Sequence, residues 1–372
     1  DYLIDISTLA ECFREFGHHP ANYILSRLRQ PENTQALLLG NIANLFLDEW
    51  IHTEGEADYV ACMKKAFRMY PLELAACTDL RKKESERHFF EDCKKHFTNI
   101  RQVVTETFHA SGYDLDKTDA VLEPSYICEA LGLQGRLDYM QRDMGAFIEM
   151  KSGKADEYSM RGKVEPKENN RVQMLLYQAV LEYAMGMDHH KVKAYLLYTR
   201  YPLLYPARPS WAMVRRVMDV RNRIVEAEYS IQLHNDSAYT AQRLAALSPA
   251  VLNERGLNNV LWNRYLCPSI QKLTDGLASL SSLEQSYFYT LYNFITKELY
   301  TSKSGDVDDL CRTGSCSLWT TTLAEKCEAG EILYDLTITD NHAADEHKPY
   351  LILACPVTET VLPNFRTGDA VV

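Results

Sequence analysis

No stretch of the sequence approaches the roughly 18 to 20 consecutive apolar residues that a membrane-spanning helix requires. The opening run DYLIDISTLA has neither a basic cluster nor a signal-like apolar core. A membrane protein and a secreted one are both set aside, and a cytoplasmic, intracellular chain is expected. There is no Cys-x-x-Cys pair. The ten cysteines, Cys12, Cys62, Cys77, Cys93, Cys128, Cys267, Cys311, Cys316, Cys327 and Cys355, are scattered. That spacing suits neither a zinc ribbon nor a small disulfide scaffold, and reduced, mostly buried thiols are expected. Net basic charge is missing too: the formal charge is −11, the wrong sign for a chain that neutralises phosphates with Lys and Arg. An initiator Met is absent, and the chain stops at DAVV with apolar residues still alternating, so a piece of a longer protein is expected.

Charge is nevertheless uneven. Between Lys151 and Arg223 there are 14 Lys/Arg and 7 Asp/Glu, a local excess of +7 in an acidic chain; taken alone, that stretch suits a solvated face as well as a phosphate-binding one. With 372 residues and 46 % hydrophobic composition the chain can bury more than one core. The run QALLLGNIANLFLDEWIH (35–52) carries Leu38, Ile42, Leu45, Phe46 and Trp50 at helical spacing, and amphipathic helical patterning continues over 57–108. The period then falls to two. GLQGRLDYMQ (132–141) and AFIEMK (146–151) alternate on either side of Arg142-Asp143-Met144-Gly145, a β-hairpin pattern. Residues 152–170 read as a polar loop. A helix over 171–185 follows, with Val172, Leu175, Leu176, Ala179, Val180 and Tyr183 in one stripe, and 191–200 returns to a strand. Helices dominate from Trp211 to about Leu323, and strand-like runs at 331–339, 349–356 and from Ala370 close the chain.

Glu149 and Lys151 are two apart on a strand, so both side chains leave the same face. Hairpin pairing brings Asp138, near the end of the preceding strand, beside them. Two hard carboxylates, with the Met150 carbonyl as a third ligand, suit Mg²⁺ or Mn²⁺, and such an ion serves phosphodiester cleavage with Lys151 as an accompanying cation. Three such letters also occur on ordinary solvated strands, and their context has to decide.

GLQGRLDYM, then FIEMKSGK, then Gln173-x-x-x-Tyr177 on a helix, resemble in order the G-x-x-D strand, E-x-K-x-G-K strand and Q-x-x-x-Y helix of the RecB-type nucleases of the PD-(D/E)XK superfamily. The resemblance implies an α/β, restriction-endonuclease-like core, a central mixed sheet flanked by helices, and a catalytic group of Asp138, Glu149, Lys151, Gln173 and Tyr177. It implies that Gln173 holds the active-site strand or the metal's surroundings, that Tyr177 touches DNA, and that Lys154 sits close to phosphate. Arg171, at the start of the same helix, is a further candidate DNA contact. Gln173 and Tyr177 are expected at the rim of the helix's apolar stripe. One departure stands out: where the family has a Gly-x-x-x-His helix with its imidazole on the metal, Gly40 is followed by Asn44. The Asn44 carbonyl is a weaker hard ligand, and Asp48, one turn further on, can also approach.

The likeness extends outward. STLAECFREF, LSSLEQSYFYTLYNFITKEL (279–298), SLWTTTLAEKCEAGEI (317–332) and the final NFRTGDAVV are similar, in order, to the nuclease half of the eukaryotic-type replication helicase-nucleases, which process flaps and resect DNA ends. That resemblance implies a nuclease core with an N-terminal helical region over 1–210, a helical extension over 211–325, and the start of a β-barrel over 326–372 leading to a superfamily-one helicase motor. Those relatives also hold a [4Fe-4S] cluster. Cys12 and Cys267 match two of its four ligand positions, and Asn258 and Leu261 occupy the others; the set Cys12, Cys311, Cys316 and Cys327 fits the spacing poorly. Two thiolates do not hold such a cluster, and none is expected. The reading is a Mg²⁺- or Mn²⁺-dependent deoxyribonuclease for single-stranded or flap DNA. The alternative is a catalytically decayed clamp that feeds single-stranded DNA to a helicase, with Asn44 as the mark of decay.

Overall fold

The computed structural model describes residues 2–28, 33–113, 115–155, 165–305, 314, 316–344 and 350–356. The alternating run Ala146–Lys151 is the middle strand of a five-stranded mixed sheet. The spatial order is Leu203–Ala207, Lys193–Tyr198, Ala146–Lys151, Tyr139–Gln141, Ala120–Leu122. Lys193–Tyr198 runs parallel to the middle strand, setting Glu149 opposite Leu196 and Lys151 opposite Tyr198; the other pairings are antiparallel. A parallel neighbour needs a crossover, and helix Glu168–Met185 supplies it.

The single strand expected over 132–141 is broken in two. Leu133–Arg136 belongs to a separate three-stranded sheet with Ile4–Asp5 and Ser125–Cys128, while Tyr139–Gln141 joins the large one. The register does not slip across the break, since Leu122 faces Tyr139 and Ser125 faces Arg136. The two ladders are therefore one antiparallel pair bent in the middle. Glu123, with φ of +51°, and Pro124, which has no N–H to donate, interrupt the ladder on the facing strand. Single hydrogen bonds span the bend, from the Glu123 N–H to the Asp138 carbonyl (3.2 Å) and from the Leu137 N–H to the Pro124 carbonyl (3.1 Å). Asp138 sits at this corner.

Strand alternation sorts the cores. Ala146, Ile148 and Met150 leave one face of the sheet and pack with Leu38, Ile42, Phe46 and Trp50 of helix Gln35–His52 and with Phe89 and Phe97 of helix Lys83–Gln102. Phe147 leaves the other face, toward Val172, Leu176, Tyr177 and Val180 of the crossover helix and Val217, Val220 and Ile224 of helix Val214–His234. A third cluster joins Phe16 and Leu25 to Leu244, Leu252, Trp262 and Ile270.

The crossover helix departs from its expected single stripe. It starts at Glu168, it is buried at Asn170 and continuously from Val172 to Leu181, and Tyr183 is 53 % exposed. The sheets, helix Ile6–Ala10 and helix Val214–His234 all pack on it, which leaves little of its circumference for solvent. Near the end of the chain, Thr337–Asn341 and Leu351–Ala354 form an antiparallel hairpin with a largely exposed surface. It begins later than the expected strand from Glu331, because helix Leu323–Ala329 ends in a left-handed Gly330 just before. Two strands do not make a barrel, and the strand expected from Ala370 lies outside the described residues. No helix among the described residues is long and apolar enough to cross a membrane.

Phe147 is fully buried on the middle strand, its ring edge-on to Tyr177 at 6.1 Å. Phe147→Ala is expected to cost about 3 to 5 kcal/mol in urea unfolding. A loss under about 1 kcal/mol would mean that the strand does not rest on this core.

Candidate active site

Glu149 and Lys151 share a face, as their spacing requires, and the Lys151 ammonium donates to Glu149 Oε1 at 2.8 Å. Gln173 Nε2, from the crossover helix, donates to the same oxygen at 2.7 Å. Glu149 is 4 % exposed, and its second oxygen, Oε2, is buried with no hydrogen-bond partner. The bend brings Asp138 across to this strand, where its Oδ2 accepts the Met150 N–H at 2.6 Å. In an extended residue N–H and C=O leave by the same edge, so the Met150 carbonyl is directed to the Asp138 side as well.

Both carboxyls are held above the usual carboxylate range. For Asp138 the main cause is burial, opposed by the Met150 N–H and by Lys151. Glu149 is pushed up to about 8, first by burial and then by the charge of Asp138, with Lys151 and Gln173 working the other way. Burial disfavours the Lys151 charge, but Glu149 and Asp138 outweigh it and raise its pKa, so the ammonium persists. Two acids that repel each other, one oxygen without a donor, and a cation alongside make a place where added positive charge is favourable.

A family model for the PD-(D/E)XK nuclease superfamily matches residues 5–266. The chain belongs to the PD-(D/E)XK nuclease superfamily. No curated protein matches it. Members of the superfamily are generally nucleases that act on DNA and use divalent metals such as Mg²⁺ or Mn²⁺. The residues fit such an ion: Asp138 and the orphaned Glu149 Oε2 offer hard oxygens, and a divalent charge would relieve their repulsion.

Around these residues the structure adds supports that no motif announced. Gln173 also donates to Ser7 Oγ at 3.1 Å. Ser7 lies on helix Ile6–Ala10, whose start is capped by Asp5 accepting the Thr8 N–H at 3.0 Å. An Asp before an apolar run is a readable cap signal, but nothing local ties it to Gln173. The Lys151 carbonyl accepts from the Thr199 N–H at 3.0 Å and from its hydroxyl at 3.4 Å. Thr199 in turn is held by His96 (Nδ1 to Oγ1, 2.6 Å) and Asn99 (Nδ2 to the carbonyl, 2.9 Å), both on helix Lys83–Gln102.

The other expected site residues divide. Gln173 and Tyr177 are buried, at 4 % and 1 % exposure, and neither lies at a rim. Tyr177 donates its hydroxyl to the Arg136 carbonyl at 2.6 Å. With no surface to offer, it buttresses the strand leading to Asp138, and the expected DNA contact does not fit. Helix Gln35–His52 packs on the other face of the sheet, with Gly40 so near that a Cβ there would lie 3.2 Å from Ser152 Oγ. Asp48, eight residues on, is raised to about 6 by burial, then by Glu123 and to a lesser degree by Asp138. Asn44 lies between them on the same helical face, and among the described residues no hydrogen bond joins it to Asp138, Glu149 or Lys151. Lys154 is exposed in the loop after the strand, and Arg171 is exposed with Glu165 at 3.6 Å.

Among the described residues no four cysteines converge on one another. Cys12 is buried in the first core, donates to the Thr8 carbonyl at 3.8 Å, and burial pushes its thiol up to about 12. Cys267 is half-buried against the third cluster, and the Asn258 side chain bonds Asn263. Cys316 is buried, Cys327 is half-buried, and Cys311 lies outside the described residues.

A carboxyl raised on folding makes the folded state bind the extra proton, so stability falls as pH climbs through that range. Without divalent ions, urea stability is expected to decline between about pH 4.5 and about pH 8. Millimolar Mg²⁺ or the change Glu149→Gln should flatten that decline. A metal-free profile identical in the wild type and Glu149→Gln would contradict this electrostatic description.

Proposed function

We propose that the chain is a Mg²⁺- or Mn²⁺-dependent deoxyribonuclease that cleaves single-stranded or flap DNA as the nuclease part of a larger helicase-nuclease. The observation that carries the reading is the buried, partnerless Oε2 of Glu149, set beside Asp138 and next to a lysine held charged. A folded chain does not leave such an oxygen unpaired at no cost; a hard cation is the partner its chemistry asks for.

Asp138, Glu149 and the Met150 carbonyl would hold the ion, which when bound supplies positive charge to a scissile phosphate and lowers the pKa of water. Lys151 keeps its proton at Nζ, orients the attacking water and donates to the phosphate oxygens as their charge grows. Gln173 fixes the Glu149 carboxylate through Oε1, leaving Oε2 for the ion, and Tyr177 steadies the strand before Asp138. Asn44 and Asp48, one turn apart on helix Gln35–His52, are the candidate supplementary ligands, and the carboxylate of Asp48 is the harder donor of the two. Lys154 and Arg171, exposed beside the strand end and the helix start, suit backbone phosphates. The preference for single strands and flaps, the 1–210, 211–325 and 326–372 division, and a superfamily-one motor following in the parent chain rest on the likeness of the 279–298, 317–332 and 364–372 runs to the helicase-nucleases.

Asp138→Asn and Lys151→Ala are expected to lower the Mg²⁺- or Mn²⁺-dependent cleavage rate of a labelled flap substrate by at least about 10²- to 10³-fold, with unchanged circular dichroism. Wild-type rates in both variants would defeat the proposal. Absence of cleavage in the wild type, with tight single-strand binding retained, would favour the clamp reading that the Asn44 departure suggests.

A further inference from the structure

We infer that the turn joining helix Glu168–Met185 to strand Lys193–Tyr198 carries a second cation site, built from Asp188, His189 and His190 and suited to an imidazole-preferring divalent ion such as Zn²⁺. One ligand atom from each of the three lies within 4.8 Å of the others, and no other trio of such side chains converges in this way among the described residues. The site stands apart from Asp138 and Glu149. The end of the helix at Met185 is about 18 Å along its axis from Gln173.

The ligands stand on a stiff turn. Gly186 takes the left-handed conformation, with φ of +70°, that closes the helix, and the Gly186 and Met187 N–H groups bond the Glu182 and Leu181 carbonyls, each at 3.1 Å. Beyond them the Lys191 N–H bonds the Asp188 carbonyl and the Lys193 N–H bonds the Gly145 carbonyl, both at 2.8 Å. The His189 ring is oriented by three neighbours. It stacks on Trp211 with centroids 3.7 Å apart and planes 6° off parallel, it packs against His190 at 4.0 Å, and its Nδ1 bonds the Glu182 carboxylate. A carboxylate on one ring nitrogen fixes the imidazole and leaves Nε2 as a strengthened donor to a metal.

The surroundings favour positive charge and select its kind. The site lies at the C-terminal end of the helix, where unpaired carbonyls create a negative potential. Two imidazoles beside one carboxylate favour Zn²⁺, Ni²⁺ or Cu²⁺ over Mg²⁺, which prefers an all-oxygen set. Asp188 and His190 are exposed, so an ion reaches the site from solvent and keeps water in its remaining positions. Through the bond from His189 to Glu182, a cation held there braces the turn against the last turns of the helix bearing Gln173 and Tyr177.

The test uses the full chain with Asp138→Asn and Glu149→Gln combined, so that the active centre is disabled. Calorimetric titration with Zn²⁺ should give one site per chain. Its affinity should fall at least about 10-fold in His189→Ala and in His190→Ala, and about 10- to 100-fold in Glu182→Gln. His190 is exposed, so its truncation spares the fold, and zinc-free circular dichroism checks this. Ni²⁺ should quench tryptophan fluorescence with the same affinity ranking, and Trp211→Phe should abolish the quenching while leaving Zn²⁺ affinity within about 10-fold. Failure of the active-centre variant to bind Zn²⁺, or binding unaffected by both histidine changes, would overturn the assignment.

Discussion

Two buried carboxyl groups, one of which feels the charge of the other, are an expensive arrangement, and the parts of the fold nearest to Asp138 and Glu149 are organised around tolerating it. Neither acid is neutralised by a bidentate arginine. Each receives directed hydrogen bonds instead: Asp138 from the Met150 N–H, Glu149 from Lys151 and Gln173, and all of these reach one oxygen of each group. Glu149 Oε2 is left bare. Glu228 also keeps one bare buried oxygen beside Arg27, and what sets Glu149 apart is the second buried carboxyl, Asp138, whose charge it feels.

The constraint reaches outward through backbone. Asp138 can face Met150 only because one antiparallel ladder bends at Glu123-Pro124 and hands its strands from one sheet to another. Gln173 can reach Glu149 only because the crossover helix is buried on nearly every side, with Tyr177 locked to the Arg136 carbonyl just before the corner. On the far side, Thr199, fixed by His96 and Asn99, holds the Lys151 carbonyl. Asp138, Glu149 and Lys151 are thus positioned by three separate sets of contacts, and a change in any of these bears on the oxygens proposed to hold the metal.

Much of this was legible in the sequence, for identifiable reasons. The period of two over 146–151 and the turn at 142–145 fix the hairpin, and i, i+2 spacing fixes the shared face of Glu149 and Lys151. The bend at Asp138 was not legible, because its cause sits on the facing strand and the register stays continuous through it. The burial of Gln173 and Tyr177 escaped because a one-stripe reading assumes a helix with one partner, and this helix has several. The His96–Thr199 contact spans 103 residues, a separation across which no periodicity carries information. Asp48 is legible beside Asn44 from its one-turn spacing on the helix, whereas the burial that raises its pKa comes from packing that local sequence does not show.

The nuclease assignment requires a divalent ion shared by the carboxyls of Asp138 and Glu149. Calorimetry of Mn²⁺ binding near pH 7, repeated in buffers of different ionisation enthalpy, counts the protons displaced as the ion enters. The expected result is a site that releases protons on binding, since burial and the charge of Asp138 raise the pKa of Glu149 to about 8, and that disappears when either carboxyl is replaced by its amide. Binding without proton release, or binding that survives both replacements, would contradict it.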